Sequence, residues 1–175
     1  MKTERLVLGG GCFWCVEAVY SNVKGVQSAI SGYTGGARPN PSYENVCTGA
    51  TGHAEIVDIT YDGEIISRAE LLKIFFAIHN PTTLNAQGAD KGTQYRSVIY
   101  YASEEEKAEI DSAIALAQES FSEVIVTEVS PLGAVFAGEA YHQNYYAQNP
   151  GQGYCQAVIA PKLQKFMLTF PEKIG

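Results

Sequence analysis

The run Leu6-Val7-Leu8-Gly9-Gly10-Gly11-Cys12-Phe13-Trp14-Cys15-Val16-Glu17 decides how this chain is read. Its apolar start suits a strand and its glycine triplet a tight turn. From Phe13 onward, Phe13, Val16, Val19, Tyr20 and Val23 fall at helical spacing and predict a helix over residues 13–23. Cys12 then sits at a helix N-terminus, where exposed backbone N–H groups and the macrodipole favour negative charge. Such placement lowers a thiol pKa from about 8.5 toward roughly 3.5–7.5. Cys12 is therefore the leading candidate for a nucleophilic thiolate.

Outward from this run, a strand is predicted over residues 5–8 and another over 25–33, ended by Thr34-Gly35-Gly36. A polar loop over 37–52 contains Pro39 and Pro41. Residues 53–61 alternate with both faces partly apolar, as a central strand would. Ser67 and Glu70 form a capping box for a helix that Asn80-Pro81 ends near residue 78. A glycine-bearing loop runs to Gln94, then a strand over 96–101. Ser103 and Glu106 open a helix to about residue 120, and a strand follows over 124–129. The first six elements read strand, helix, strand, strand, helix, strand. That is the split βαβ pattern of a two-layer, ferredoxin-like (βαββαβ) α+β core. An extra helix and strand, and an irregular C-terminal segment over 131–160, extend it. Pro161 begins a last short helix as its N1 residue. No repeat or linker divides the chain, so a single domain over residues 1–175 is expected.

With net charge −7 and no dense basic cluster, nucleic acid is not an expected partner. Lys162 and Lys165 read as a solvated helix end. No apolar run approaches the roughly 18 residues of a membrane span. The apolar stretch after Met1-Lys2-Thr3-Glu4-Arg5 is too short for a signal peptide, so the cytoplasm is the expected compartment. Four cysteines in such a chain argue against a disulfide framework and leave redox chemistry, a metal or burial. Zinc would need a second close pair, which Cys47 and Cys155 do not form. A dinucleotide fingerprint fails at Trp14. Neither metal nor cofactor is expected, and His53, His79 and His142 read as structural.

Cys12 and Cys15 lie three apart on one helix face, as in a Cys-x-x-Cys pair, and read either as redox partners or as two half-buried thiols. Trp14 is either one wall of an apolar substrate pocket or part of the core. Glu55, if its strand is central, is a buried carboxyl able to act as an acid near neutrality; otherwise it is an exposed strand residue. Asp90 reads as a turn residue, and Tyr43 and Tyr95 lie in or beside loops, where function concentrates. Two rival functions share these features. One is a thioredoxin-type thiol–disulfide oxidoreductase. The other is a non-enzymatic redox-sensing domain switched at Cys12.

Gly11-Cys12-Phe13-Trp14 resembles the active-site signature of the peptide methionine sulfoxide reductases of A type. The likeness continues through Gly32-Tyr33-Thr34-Gly35-Gly36, Asn40-Pro41-Ser42-Tyr43-Glu44, Val46-Cys47 and Thr51-Gly52-His53-Ala54-Glu55. It runs on through His79-Asn80-Pro81-Thr82-Thr83-Leu84-Asn85, Gly92-Thr93-Gln94-Tyr95-Arg96-Ser97 and Tyr141-His142-Gln143. The resemblance implies an α+β fold that agrees with the element order. It implies reduction of methionine-S-sulfoxide, free or in proteins, with Cys12 attacking sulfur and Glu55 protonating the departing oxygen. Tyr43 and Tyr95 would hydrogen-bond that oxygen, Phe13 and Trp14 would hold the substrate methyl group, and Asp90 would orient substrate or water. A sulfenic acid on Cys12 would condense with a second thiol, and thioredoxin or another dithiol would reset the enzyme. A monomer is expected on separate grounds, since the sequence shows no exposed heptad or long apolar stripe.

The chain departs from the commonest pattern at Cys15, where many members have glycine, at Asn80, Ala86 and Ala89, and at Gly138-Glu139-Ala140. Members with Cys-Phe-Trp-Cys can resolve locally, through Cys15; others use a cysteine in a mobile C-terminal segment. Cys155, in Gly151-Gln152-Gly153-Tyr154-Cys155, fits that second description, because the glycines let the chain swing. Cys155 is expected to reach the site, with Cys15 as first resolver or relay, and Cys47 to be a buried bystander.

Overall fold

A computed structural model describes residues 2–175. β1 (Thr3–Gly9) leads through the glycine turn into α1 (Phe13–Tyr20), and β2 (Val26–Thr34) returns. The short α2 (Tyr43–Cys47) precedes β3 (Ala54–Asp62) and α3 (Arg68–Ile78). A small hairpin of β4 (Ala86–Gln87) and β5 (Asp90–Lys91) leads through a 3₁₀ turn, Thr93–Tyr95, to β6 (Val98–Tyr101). α4 (Glu104–Gln118), β7 (Glu128–Pro131), β8 (Val135–Ala137) and α5 (Tyr145–Gln148) follow. A π turn, Cys155–Ile159, runs into α6 (Ala160–Thr169). No helix of the described residues is long and apolar enough to cross a membrane.

Six strands form one mixed sheet in the order β7-β6-β1-β3-β2-β8. All neighbours are antiparallel except β6 and β7. β3 is central, with Leu8 opposite Val57 on one side and Tyr33 opposite Glu55 on the other. This explains why both faces of residues 53–61 are apolar. Val57 and Ile59 join the core beneath the helices, where α3 contributes Leu71, Leu72, Phe75 and Phe76. Ala54 and Ile56 face the other side and pack with Val7, Val98 and Tyr100 beneath Leu132 and Val135. Strand alternation puts Glu55 on the helix side with Val57.

Several local expectations need correction. α1 stops at Tyr20 rather than residue 23, where the Asn22 side chain donates to the Ala18 carbonyl and the chain turns. The polar loop over 37–52 contains α2, capped by Ser42 with Asn45 in the place usually held by Glu or Gln. The Ser67–Glu70 capping box forms as expected. At Ser103 only half of one forms, because Glu106 accepts from the Ala102 N–H instead. The strand expected over 124–129 begins at Glu128, since the Gln118 side chain engages Ile125 and Glu123. The segment over 131–160 carries β8, which extends the sheet edge, and α5. Pro161 does not start its helix, because the Ala160 N–H already bonds to the Cys155 carbonyl in the π turn. Its missing N–H falls where the π turn passes into α6.

Candidate active site

The glycine triplet is a matter of space and backbone angle. A Cβ at Gly9 would overlap the Glu55 carbonyl oxygen. Gly11 has φ +88°, a conformation that favours glycine, and its N–H donates to the Tyr95 carbonyl at 3.2 Å. The turn thus presses the start of α1 against β3 and the 3₁₀ turn. Cys12 is the N-cap of α1, and the Cys15 N–H donates to the Cys12 carbonyl at 3.1 Å. The two thiols therefore occupy the first turn. The Phe13 N–H donates to Glu55 Oε1 at 3.1 Å, while Glu55 Oε2 has no partner among the described residues. Cys12, Cys15 and Glu55 are all buried.

Burial sets the electrostatics. It raises the Glu55 pKa to about 8, against the Phe13 N–H, with the charges of Asp90 and Cys15 adding to the rise. Burial also pushes the Cys12 thiol well up, and the hydrogen bond to Cys15 and the Glu55 charge add to this. Desolvation thus opposes the lowering expected at a helix N-terminus, to which the Trp14 N–H still contributes. Cys15 moves the other way: the Cys12 thiol donates to it, and the Lys162 charge and the Tyr154 hydroxyl lower it further.

Aromatic rings enclose the thiols. Phe13 is fully buried, with ring centroids 5.6 Å from Tyr33 and 5.0 Å from His142. Trp14 is half-buried, stacks on Tyr145 at 3.7 Å and 6°, and donates from Nε1 to His142 Nδ1 at 3.0 Å. Tyr43 stacks near Phe13 at 6.2 Å. Burial, then the Glu55 charge, pushes both the Tyr43 and Tyr95 phenols up, so they remain hydrogen-bond donors. Asp90, on β5, accepts from the Tyr154 hydroxyl at 2.6 Å, and that same oxygen lies 3.9 Å from Cys15 Sγ.

The structure thus brings Cys12, Phe13, Trp14, Cys15, Tyr43, Glu55, Asp90 and Tyr95 to one place. It also adds residues that the sequence reading did not select. His142 does more than brace the fold: it holds the Trp14 indole, and its Nε2 is buried without a partner among the described residues. Glu139 accepts from the Tyr33 hydroxyl and the Tyr43 N–H, both at 3.0 Å, and so fixes α2. Tyr145 and Tyr154 complete the wall; among eleven tyrosines, no sequence signal separated them. His53 and His79 do brace the fold, through Gly36 and Arg38 and through Phe75 and Ser97. Two expectations about cysteines are corrected. Cys47 is exposed at the end of α2. Cys155 is buried in the π turn rather than carried on a swinging segment, because helix formation continues through it into α6. A cavity of about 930 Å³ between α3, α4 and α6 is lined by Phe76, Leu116, Phe121 and Phe170, and none of the candidate residues reaches it.

A buried thiol pair in the first turn of a helix, beside a carboxyl held largely protonated at neutral pH, defines a thiol-based redox site. The peptide methionine sulfoxide reductase family model matches residues 4–174. A peptide methionine sulfoxide reductase MsrA of Polynucleobacter asymbioticus is 57% identical over 174 residues, covering 98% of this chain and 92% of that protein. Among solved structures, reduced Mxr1 of Saccharomyces cerevisiae is similar with TM-score 0.82 and 33% identity, over 88% of this chain and 90% of that one. Methionine sulfoxide reductase A of Corynebacterium diphtheriae follows at TM-score 0.78 and 35% identity, over 89% and 78%. The chain belongs to the peptide methionine sulfoxide reductase family, and is an oxidoreductase.

Proposed function

We propose that this chain reduces methionine-S-sulfoxide, free or in proteins, through Cys12, with Glu55 as the acid. The observation that carries the reading is Glu55 itself: a buried carboxyl with pKa about 8, tied to the residue next to Cys12. Disulfide exchange expels a thiolate, which can leave without a proton, whereas oxygen leaves a sulfoxide only when protonated, so a buried acid at this place is demanded by the sulfoxide reaction alone. A sulfoxide sulfur becomes electrophilic when charge on its oxygen is neutralised. Glu55 supplies the proton, and Tyr43 and Tyr95 supply hydrogen bonds to the oxygen. Phe13 and Trp14 form the apolar pocket for the methyl group, and Asp90 orients substrate or water. The Cys12 sulfur attacks the sulfoxide sulfur, its thiol proton replaces the one Glu55 gave to the oxygen, and the oxygen passes from the methionine sulfur to the Cys12 sulfur, leaving methionine, a Cys12 sulfenic acid and a reprotonated Glu55.

A second thiol, Cys15 or Cys155, condenses with the sulfenic acid, and water leaves. The resulting disulfide needs an external dithiol. Thioredoxin is the proposed reductant, and the yeast relative Mxr1 has been solved in complex with Trx2. The cytoplasm, where thiols are kept reduced, suits this cycle. We read the chain as a single domain on a ferredoxin-like βαββαβ core; the strand order β6-β1-β3-β2, antiparallel throughout, supports this.

The test is a single turnover without reductant, on a peptide containing methionine-S-sulfoxide. About one equivalent of methionine per chain, and none from Cys12→Ser, is the expected result. No methionine, with ready cycling of small disulfides, would move the chain to the thioredoxin-type reading.

A further inference from the structure

On the local route that the Cys-Phe-Trp-Cys resemblance implies, in which Cys15 resolves the Cys12 sulfenic acid, we propose that Tyr154 is the positioning residue that passes the Cys15 proton to Asp90. The proposal rests on the reductase reading above. Its basis is a line of three groups from three separate segments: Cys15 Sγ on α1, the Tyr154 hydroxyl 3.9 Å away at the entry to the π turn, and Asp90 Oδ2 on β5, 2.6 Å beyond it.

Cys15 has the advantage of place. It lies one turn from Cys12, which is the N-cap, so a Cys-x-x-Cys disulfide closes without unfolding α1. Cys155 is fully buried in the π turn and follows directly on Tyr154, which is anchored to Asp90. For Cys155 to reach Cys12, that anchor must open. Cys155 is then suited to a second exchange, attacking Cys15 once the first disulfide exists.

The step balances. The Cys15 sulfur attacks the Cys12 sulfur, an S–S bond forms and the S–O bond breaks. The sulfenic sulfur is reduced, the Cys15 sulfur is oxidised, and the departing oxygen leaves as water. The thiol proton passes to the Tyr154 oxygen as the phenol proton passes to the Asp90 carboxylate; the hydroxide takes its proton from Glu55. Six groups face Cys15: Cys12 on its own helix, Glu55 on β3, Asp90 on β5, Tyr154 and Cys155 at the π turn, and Lys162 on α6. Cys12 and Lys162 favour loss of the Cys15 proton, whereas the Asp90 charge opposes a thiolate left beside it. The Tyr154 hydroxyl itself is pushed far up by burial and stays protonated, as a relay requires.

The experiment uses the full chain with Cys47→Ser and Cys155→Ser, so that only Cys15 can resolve. One turnover on a methionine-S-sulfoxide peptide is quenched in time; methionine, Cys12–Cys15 disulfide and the sulfenic acid trapped by a 1,3-diketone are counted. In the parent, disulfide should keep pace with methionine. In Tyr154→Phe at pH 6.5, disulfide should lag methionine at least tenfold further, and the lag should close as pH rises and hydroxide takes the thiol proton directly. Asp90→Asn should show the same pH signature, and carries the test if Tyr154→Phe does not fold. Disulfide that keeps pace in both variants, or a lag equal at every pH, overturns the relay. Methionine without any Cys12–Cys15 disulfide in the parent overturns Cys15 as resolver while leaving the reductase reading intact. No methionine at all from the wild-type chain fails that reading itself.

Discussion

Glu55 and Phe13 are joined by a single hydrogen bond, Phe13 N–H to Glu55 Oε1 at 3.1 Å, which fixes a buried acid at the start of the helix that carries both thiols. The bond lowers the Glu55 pKa, yet burial outweighs it and leaves the group near 8. Glu55→Gln keeps the shape and removes the proton. Methionine formed per turnover should slow by about 10²–10⁴, the usual contribution of a positioned acid. In wild type the same rate should fall as pH rises through about 8. Stopped-flow measurement of both across pH 6–10 checks the pair; a flat profile would remove Glu55 as the acid.

The same group gives a stability signature. The folded pKa of Glu55 lies above its ordinary value of 4.5. In that window the folded state holds a proton that the unfolded state has lost. The contribution of Glu55 is therefore whole below about 4.5 and is lost as pH rises through about 8. The slope is at most about 1.4 kcal/mol per pH unit. Glu55→Gln should flatten this part of the curve. Urea unfolding at pH 5, 6.5 and 8.5, wild type against variant, measures it.

Sequence periodicity carried the core strands and α3 because their signals are local: alternation, a Ser67–Glu70 box, an Asn80-Pro81 stop. Glu55 was legible for the same reason, since two apolar faces imply a central strand. What was illegible is non-local. Glu17 and Asn144, Trp14 and His142, and Tyr154 and Asp90 are 64 to 128 residues apart and have no spacing rule to link them. The desolvation of Cys12 is illegible for a related reason: a helix N-terminus is visible in sequence and the depth of burial is not. Cys155 was misplaced because its glycines suggested a hinge, whereas the π turn that continues into α6 depends on packing against α1.

Trp14 and His142 yield a third prediction. The Nε1–H of Trp14 donates to Nδ1 of His142, which requires the neutral ring. Burial lowers the His142 pKa, so the acceptor is fully present above the ordinary histidine range and is lost as pH falls. His142→Phe keeps a ring there and strands a partly buried indole N–H, at a cost of about 1–3 kcal/mol. The expected result is a KM raised roughly tenfold or more with kcat little changed, since the Trp14 wall binds rather than reacts. An equal fall in kcat would instead place His142 in the reacting machinery.

Glu17 ties the irregular C-terminal segment to the helix that bears the thiols. Its Oε1 accepts from the Ser31 hydroxyl at 3.0 Å and its Oε2 from the Asn144 N–H at 2.7 Å. Asn144 has φ +54°, and its backbone directs the chain into α5, where Tyr145 stacks on Trp14. Glu17→Ala leaves two donors unpaired in a buried site, and hydrogen bonds to charged groups are worth about 1.5–3 kcal/mol each. A loss of about 2–4 kcal/mol in urea unfolding is expected, and less for Glu17→Gln, which still offers one acceptor. Trp14 is the single tryptophan, so its emission reports the consequence directly. Glu17→Ala should shift it to the red below the unfolding transition, as Tyr145 leaves the indole face. A variant that loses stability with unshifted emission would show that α5 is held by its own packing and not by Glu17.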